Sequence, residues 1–303
     1  MDVLSTLFFD YTFQVVVFGS SILGLLSGVI GSFAVLRKQS LLGDAVSHAA
    51  LPGICLAFIL TSNKQMEILL LGALVSGLLA TWLIMVIVKH SKVKFDSALA
   101  LTTAVFFGLG LVLLTFIQKS PNSNQAGLEK FIFGQSSTLL ERDVTIMFLV
   151  GVVILIVVGI FWKEFKLMAF DQSYATSIGL PVYWMNSLLA TLTVIVIVMG
   201  LQSVGVILMS SLLIGPAVAA RQWTNHLSIM VGLAAFFGCI SGLIGTVISS
   251  LGRQIPTGPT IVLVISSIVL ISMLFSPNRG IIWKMIKNNQ RKKEFASQLK
   301  KGG

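Results

Sequence analysis

A succession of apolar runs constrains this chain more than any other feature. They cover Phe13–Leu36, Leu42–Leu60, Ile68–Val88, Ser97–Gln118, Val144–Trp162, Trp184–Leu201, Val204–Ala220, Leu227–Leu251 and Thr260–Phe275. Most approach or exceed the roughly 20 residues that a helix needs to cross a bilayer. Inside hydrocarbon every backbone N–H and C=O must be paired within the protein, so the viable spanning structures are helices and closed barrels. The alternating pattern of a barrel strand is absent. The expected fold is therefore all-α, a polytopic transmembrane bundle of about nine spans. With 11% charged residues and a mean hydropathy of +0.95, a soluble domain is excluded. The N-terminus lacks a basic leader region, and the first run continues through Leu36 without an Ala-x-Ala site, so it is expected to stay as a helix.

Charge orders the spans. The net charge is +10, but the basic residues do not form a nucleic-acid patch. They fall at Arg37-Lys38, in the run Lys89–Lys94, in the loop Lys163–Pro181, at Arg221 and in the tail after Pro277. With nine spans all of these share one side, which the positive-inside rule makes the cytoplasm. The N-terminus is then outside and the C-terminus inside the cell. Residues 1–280 read as one membrane domain and 281–303 as a basic cytoplasmic tail, beginning with a short interfacial helix that holds Trp283 at the lipid headgroups. Cys55 and Cys239 both lie in apolar runs and read as small buried hydrophobes, not as a disulfide.

One pair of spans breaks the pattern. Only Gln202 and Ser203 separate 184–201 from 204–220, and Gly200, Gly205, Gly215 and Pro216 interrupt them. Eight spans plus a re-entrant segment is the alternative. Small residues recur four apart at Gly24/Gly28, Ser27/Gly31, Gly238/Gly242 and Ser241/Gly245. Such faces allow close helix approach, either inside the bundle or between two copies. The outer segments are short apart from Lys119–Arg142, which contains Pro121-Asn122-Ser123-Asn124 and Phe131-Ile132-Phe133. Outer acids available to a docking partner are Glu67, Glu129, Glu141 and Asp143.

The chain has no phosphate-cradling Gly-x-x-x-x-Gly-Lys-Ser/Thr loop, no His-Glu-x-x-His and no Gly-x-Ser-x-Gly. His90 sits among lysines in a loop, and His226 lies at a span boundary. Asp44 and His48 remain as the acid–imidazole pair inside an apolar stretch, where an ionisable group usually marks a pathway or a site. Four residues apart on a helix, they share one face, about 6 Å apart along the axis. Two readings are open. Asp44 caps a helix and His48 is a satisfied interior imidazole, or both are metal ligands. Pro52-Gly53 follow and would kink or open the helix. Two ligands are too few for a transition metal, but a two-fold homodimer would supply two carboxylates and two imidazoles. That mixed set suits Mn²⁺, Fe²⁺ or Zn²⁺, is poor for Cu⁺, and differs from the all-oxygen sets usual for Ca²⁺ and Mg²⁺.

Between Lys163 and Pro181, the spacing Asp171-x₃-Ala175-x₃-Gly179 followed by Leu180-Pro181 predicts a short helix ended by a glycine stop. The segment 170–181 is suited to act as a lever.

The run Leu36-Arg37-Lys38-Gln39-Ser40-Leu41-Leu42-Gly43-Asp44-Ala45-Val46-Ser47-His48-Ala49-Ala50-Leu51-Pro52-Gly53, together with the Asp171…Ala175…Gly179-Leu180-Pro181 loop and the stretch from Val206 to Ala217, resembles the permease subunits of ABC importers for manganese, zinc and iron, the ABC-3 metal permeases. The resemblance covers nearly the whole chain. It implies a pair of permease chains in the membrane, separate cytoplasmic ATP-binding subunits below them and an extracellular metal-binding lipoprotein above. It implies that Asp44 and His48 line the ion path near the dimer axis and that Asp171, Ala175 and Gly179 belong to the coupling segment. The chain itself is then not an enzyme and binds no permanent cofactor. Its cargo is Mn²⁺, or alternatively Zn²⁺ or Fe²⁺. A proton-coupled secondary transporter, with Asp44–His48 as a proton relay, and a permease for a larger metal chelate or vitamin are the other classes.

Overall fold

The computed structural model describes residues 10–62, 65–119, 139–252, 255–277 and 279–285, with the side chain of residue 207 outside that set. The Pro121–Asn124 and Phe131–Phe133 segments, Glu129 and the tail beyond 285 lie outside the described residues. The rest is helical: α1 (Tyr11–Leu36), α2 (Leu42–Thr61), α3 (Met66–His90), α4 (Phe95–Lys119), α5 (Glu141–Ile160), α6 (Trp162–Phe170), α7 (Gln172–Ser177), α8 (Val182–Leu201), α9 (Val206–Trp223), α10 (Leu227–Leu251) and α11 (Thr257–Phe275).

Among the described residues, eight of these helices are long and apolar enough to cross a membrane: α1 to α5, α8, α10 and α11. The uncertain stretch, α9, is one continuous helix of 18 residues with Pro216 inside it. Gln202 donates to Asp143 at the start of α5, while Gln222 and Trp223 at the other end of α9 meet Ser276 and Ser272 at the end of α11. The helix therefore runs the length of the bundle. The turn into it is tight and buried, and Gly205 (φ +87°) supplies the left-handed residue that an L side chain would resist. Counting α9, the described chain passes along the bundle nine times.

The passes sort the charges. Arg37, Lys38, Lys89, Asp96 and Asn186 meet at one end of the bundle, where Arg279 also bonds Asn225. We call this the basic end. At the opposite end, three successive residues in the first turn of α5 reach three other helices. Glu141 accepts from Tyr11 of α1 (2.8 Å), Arg142 pairs with Glu67 of α3 (2.9 Å), and Asp143 accepts from Gln202 at the end of α8 (3.0 Å).

Within lipid no hydrophobic drive brings helices together, so close packing must do so. Gly24 and Gly28 of α1 lie directly on the backbone of Gly238 and Ala234 of α10, and Gly242 lies on Ser20. Gly31 faces Leu213 of α9, and Gly245 faces Ile261 of α11. The small-residue faces thus serve internal packing. α1 and α2 are the most enclosed helices, whereas α3, α4, α5 and α11 expose many leucine, valine and phenylalanine side chains, as lipid-facing helices do. Cys55 is buried and Cys239 half-buried, and both are free thiols.

Candidate functional site

The site begins at the turn between α1 and α2. After Leu36, Lys38 adopts a left-handed backbone (φ +57°). Its N–H bonds Val35 O, and the Gln39 N–H bonds Ala34 O. This paired closure usually employs glycine at the left-handed position. The chain restarts as helix at Leu42, with Leu41 at the N-cap and no side-chain cap. Asp44 is therefore not the cap. It sits in the first turn, where the helix macrodipole favours a carboxylate by about 0.3–1 kcal/mol.

His48 follows one turn later. Its Nε2 lies 3.5 Å from Asp44 Oδ1, and the side chains are 21% and 47% exposed respectively. That separation is at the limit of a hydrogen bond, and both atoms face the same space. The ring is held edge-on to Phe107 of α4, with centroids 4.7 Å apart. His48 Nδ1 is buried and finds no hydrogen-bond partner. At 1.5 Å per residue, Asp44 lies about 3 Å and His48 about 9 Å from the start of α2. Asp44 thus lies near the basic end, and His48 lies toward the middle of the helix.

Neighbouring residues fix the frame of α2. Gly43 packs against Leu213, Val46 lies beside Gly77, and Gly53 rests on Gly72. Ser76 of α3 donates to Ala49 O at 2.6 Å. Pro52 stands inside the otherwise continuous helix. It has no N–H to offer the His48 carbonyl four residues back, so that oxygen loses its helical donor just where the imidazole branches off. The side-chain atoms Asp44 Oδ1 and His48 Nε2 form a two-atom donor set. Among the described residues no group of three or more His, Cys, Asp or Glu side chains could hold a metal. One chain alone offers only part of a coordination sphere.

The second candidate region has the local structure that its spacing predicts. Asp171 caps α7, accepting from the Tyr174 N–H at 2.9 Å. Ala175 is fully buried. Gly179 takes φ +83°, with open space where a Cβ would point, so backbone handedness and not crowding selects glycine there. Pro181 then begins α8. The sequence reading missed α6, which buries Phe165 and Met168 and sets Phe165 and Trp162 against Phe33 near the end of α1 (centroids 5.7 and 5.8 Å). Alternating apolar and charged residues in Trp162-Lys163-Glu164-Phe165-Lys166-Leu167-Met168 were the available signal. His90 ends α3, exposed, and His226 is the exposed N-cap of α10. Neither joins Asp44 and His48.

Nine helical passes, two of them enclosed and one carrying an acid–imidazole pair, define a multi-pass helical membrane protein. The chain belongs to the ABC 3 transport family, which matches residues 9–276. It is 50% identical over 285 residues to the zinc transport system membrane protein TroC of Treponema pallidum, covering 94% of this chain and 96% of that one. It is 45% identical over 274 residues to the manganese transport system membrane protein MntC of Bacillus subtilis, covering 90% of this chain and 63% of that one. Among solved structures, PsaBC from Streptococcus pneumoniae in complex with Fab has a chain that superposes with a TM-score of 0.79 at 33% identity, covering 91% of this chain and 96% of that chain.

Proposed function

We propose that this protein is the permease subunit of an ATP-driven importer of divalent transition-metal ions, with Mn²⁺ as first assignment and Zn²⁺ or Fe²⁺ as alternatives. Its relatives are named for both manganese and zinc, which supports the class of cargo and leaves the ion to chemistry. The observation that carries the reading is the Asp44–His48 pair, whose Oδ1 and Nε2 face one space while the described chain supplies no third side-chain ligand. A second copy related by a two-fold axis would bring two carboxylates and two imidazoles together. The two carboxylates would balance the charge of the ion. An incomplete set in each chain also suits cargo, which must be released and not kept.

Carboxylate oxygen favours Mn²⁺, and imidazole is shared by Zn²⁺ and Fe²⁺. Cys55 lies about two turns beyond His48 on α2, buried, with its thiol set 3.8 Å from Gly110 O, so a thiolate ligand does not enter.

ATP hydrolysis belongs to separate cytoplasmic subunits. Their motion would act on α7, in which Asp171 secures the first turn, Ala175 anchors the helix in the body of the protein and Gly179 joins it to α8. Because α6 rests on Phe33, a push on the α6–α7 hairpin also reaches the α1–α2 turn that precedes Asp44. An extracellular lipoprotein would deliver the ion at the opposite end.

The test is transport of ⁵⁴Mn by cells expressing Asp44→Ala or His48→Ala. We expect uptake to fall at least about 100-fold, comparable to losing one ligand and its orienting partner, with unchanged membrane expression. Normal uptake by both variants would end the assignment of the site. Full uptake after ATP depletion, driven by a proton gradient, would end the assignment to an ATP-driven system.

A further inference from the structure

A cleft of about 480 Å³ opens at the basic end, apart from the Asp44–His48 pair, and its polar wall is cationic. Arg37 and Lys38 come from the α1–α2 turn, Lys89 from the last turn of α3, Asn186 and Tyr183 from the first turns of α8, and Asp96 from α4. Among the described residues no carboxylate pairs with Arg37, Lys38 or Lys89. Arg37 is the most enclosed of the three. Burial pulls its guanidinium down to about 10, so it is still charged at neutral pH. One of its donors goes to Asn186 Oδ1, which leaves further guanidinium N–H groups and the Asn186 amide N–H₂ to serve the cleft. A largely buried cation without an anion is costly, and the usual remedy is a paired counter-charge.

Lys38 is the second sign. It occupies the left-handed position where glycine would be unstrained, and it lines this cleft. Lys89 stands over the Tyr183 ring at 4.9 Å, which holds its ammonium at the rim.

We propose that this cleft is a binding site for the phosphate headgroup of an anionic phospholipid. A phosphate oxygen set matches a guanidinium fork flanked by ammonium groups. Met85 and Val88, partly exposed, continue the wall as apolar surface along α3, where an acyl chain can lie. Basic pockets between helices at a membrane interface take such headgroups. Gln172, the first residue of α7, lines the same cleft, so an occupied site ties the α1–α2 turn, α3 and α8 to the lever. With Arg37, Lys38 and Lys89 against the single acid Asp96, the cleft would repel a divalent cation. Free phosphate shares the recognising chemistry and is separated from a lipid by the experiment.

The full-length protein is reconstituted in nanodiscs of phosphatidylcholine with and without phosphatidylglycerol, and retained lipid is counted by native mass spectrometry. Wild type should retain phosphatidylglycerol in preference. Lys38→Gly removes a charge yet suits the left-handed turn, so the melting temperature should hold or rise while retention falls about fivefold. Adding Lys89→Gln should bring the fall to about twenty-fivefold. Lys89→Arg should retain the lipid. Replacing Lys300 and Lys301 by glutamine tests the tail and should change nothing. Equal retention of both lipids by wild type, or wild-type retention by Lys38→Gly/Lys89→Gln, would overturn the proposal. Stabilisation by inorganic phosphate in phosphatidylcholine alone, lost in the double variant, would overturn the lipid and assign a soluble phosphate instead.

Discussion

Where α1 meets α10, Gly24 and Gly238 bring the two backbones so close that a Cβ on either would overlap the other's carbonyl oxygen. Where α2 meets α3, Gly53 and Gly72 do the same. The first contact extends along the helices through Gly28, Ala234, Ser20 and Gly242, and its polar atoms bond one another: Ser20 Oγ reaches Thr246 Oγ1 at 2.9 Å and Gly242 O at 3.2 Å. No ionisable side chain interrupts the pairs that form it. The second contact is anchored at Gly53 and by Ser76 on Ala49. One turn before it, α2 has lost a helical hydrogen bond to Pro52, and it carries Asp44 and His48 partly open to their surroundings. The same packing device therefore makes a spine in one place and holds the helix with the acid–imidazole pair in the other. What differs is how much of each helix is committed to it.

Substitutions can break or sharpen this contrast. Gly238→Leu should have the largest effect. A branched side chain must displace the α1 backbone, at about 3 kcal/mol or more, and size-exclusion chromatography in detergent should show no monodisperse protein. A native elution profile would mean that the spine yields as easily as any other contact. Gly53→Ala should be milder, destabilising by roughly 1–3 kcal/mol. Its melting temperature should drop while folded protein remains, and metal uptake should fall with it. Pro52→Ala should move the two readouts in opposite directions. It restores an N–H to the His48 carbonyl, so stability should rise by roughly 1 kcal/mol as uptake declines. Unchanged uptake would show that the broken hydrogen bond has no part in transport. The smallest effects belong to Ser20→Ala and Ser76→Ala, each expected near 0.6 kcal/mol, a typical value for side-chain bonds between membrane helices. Thermal melts should show similar losses, with uptake sensitive to Ser76→Ala alone.

The spans were legible because apolar length is a one-dimensional property. Their ends moved by a few residues where capping decided them, as at Asp10 for α1 and Pro181 for α8. The α7 helix was legible because a cap, a buried small residue and a left-handed glycine leave a spacing in the chain. α6 was not, since nine residues half embedded at an interface are too short for a hydropathy run. The small-residue faces were visible, but their partner was not. Nothing in Gly24-x₃-Gly28 says whether α10 or another copy will lie on it. Asp44 and His48 were recognisable by type and spacing. The place of Asp44 near the basic end was not, because it depends on α1 stopping at Leu36 and α2 restarting at Leu42. The triple tie of Glu141, Arg142 and Asp143 is tertiary altogether: three adjacent charges in sequence become bonds to three helices only when the bundle is assembled.

The odd number of passes has a practical consequence. The described chain enters at the end that carries Asp10 and leaves, after α11, at the end that carries Arg279. Joining two copies head to tail, the usual way to write a symmetric pair as a single gene, would require the linker to travel the full length of the bundle. A short flexible linker cannot do that. A single-chain version of any dimer of this protein would need one additional transmembrane helix between its halves, whereas a protein with an even number of passes would need only a loop.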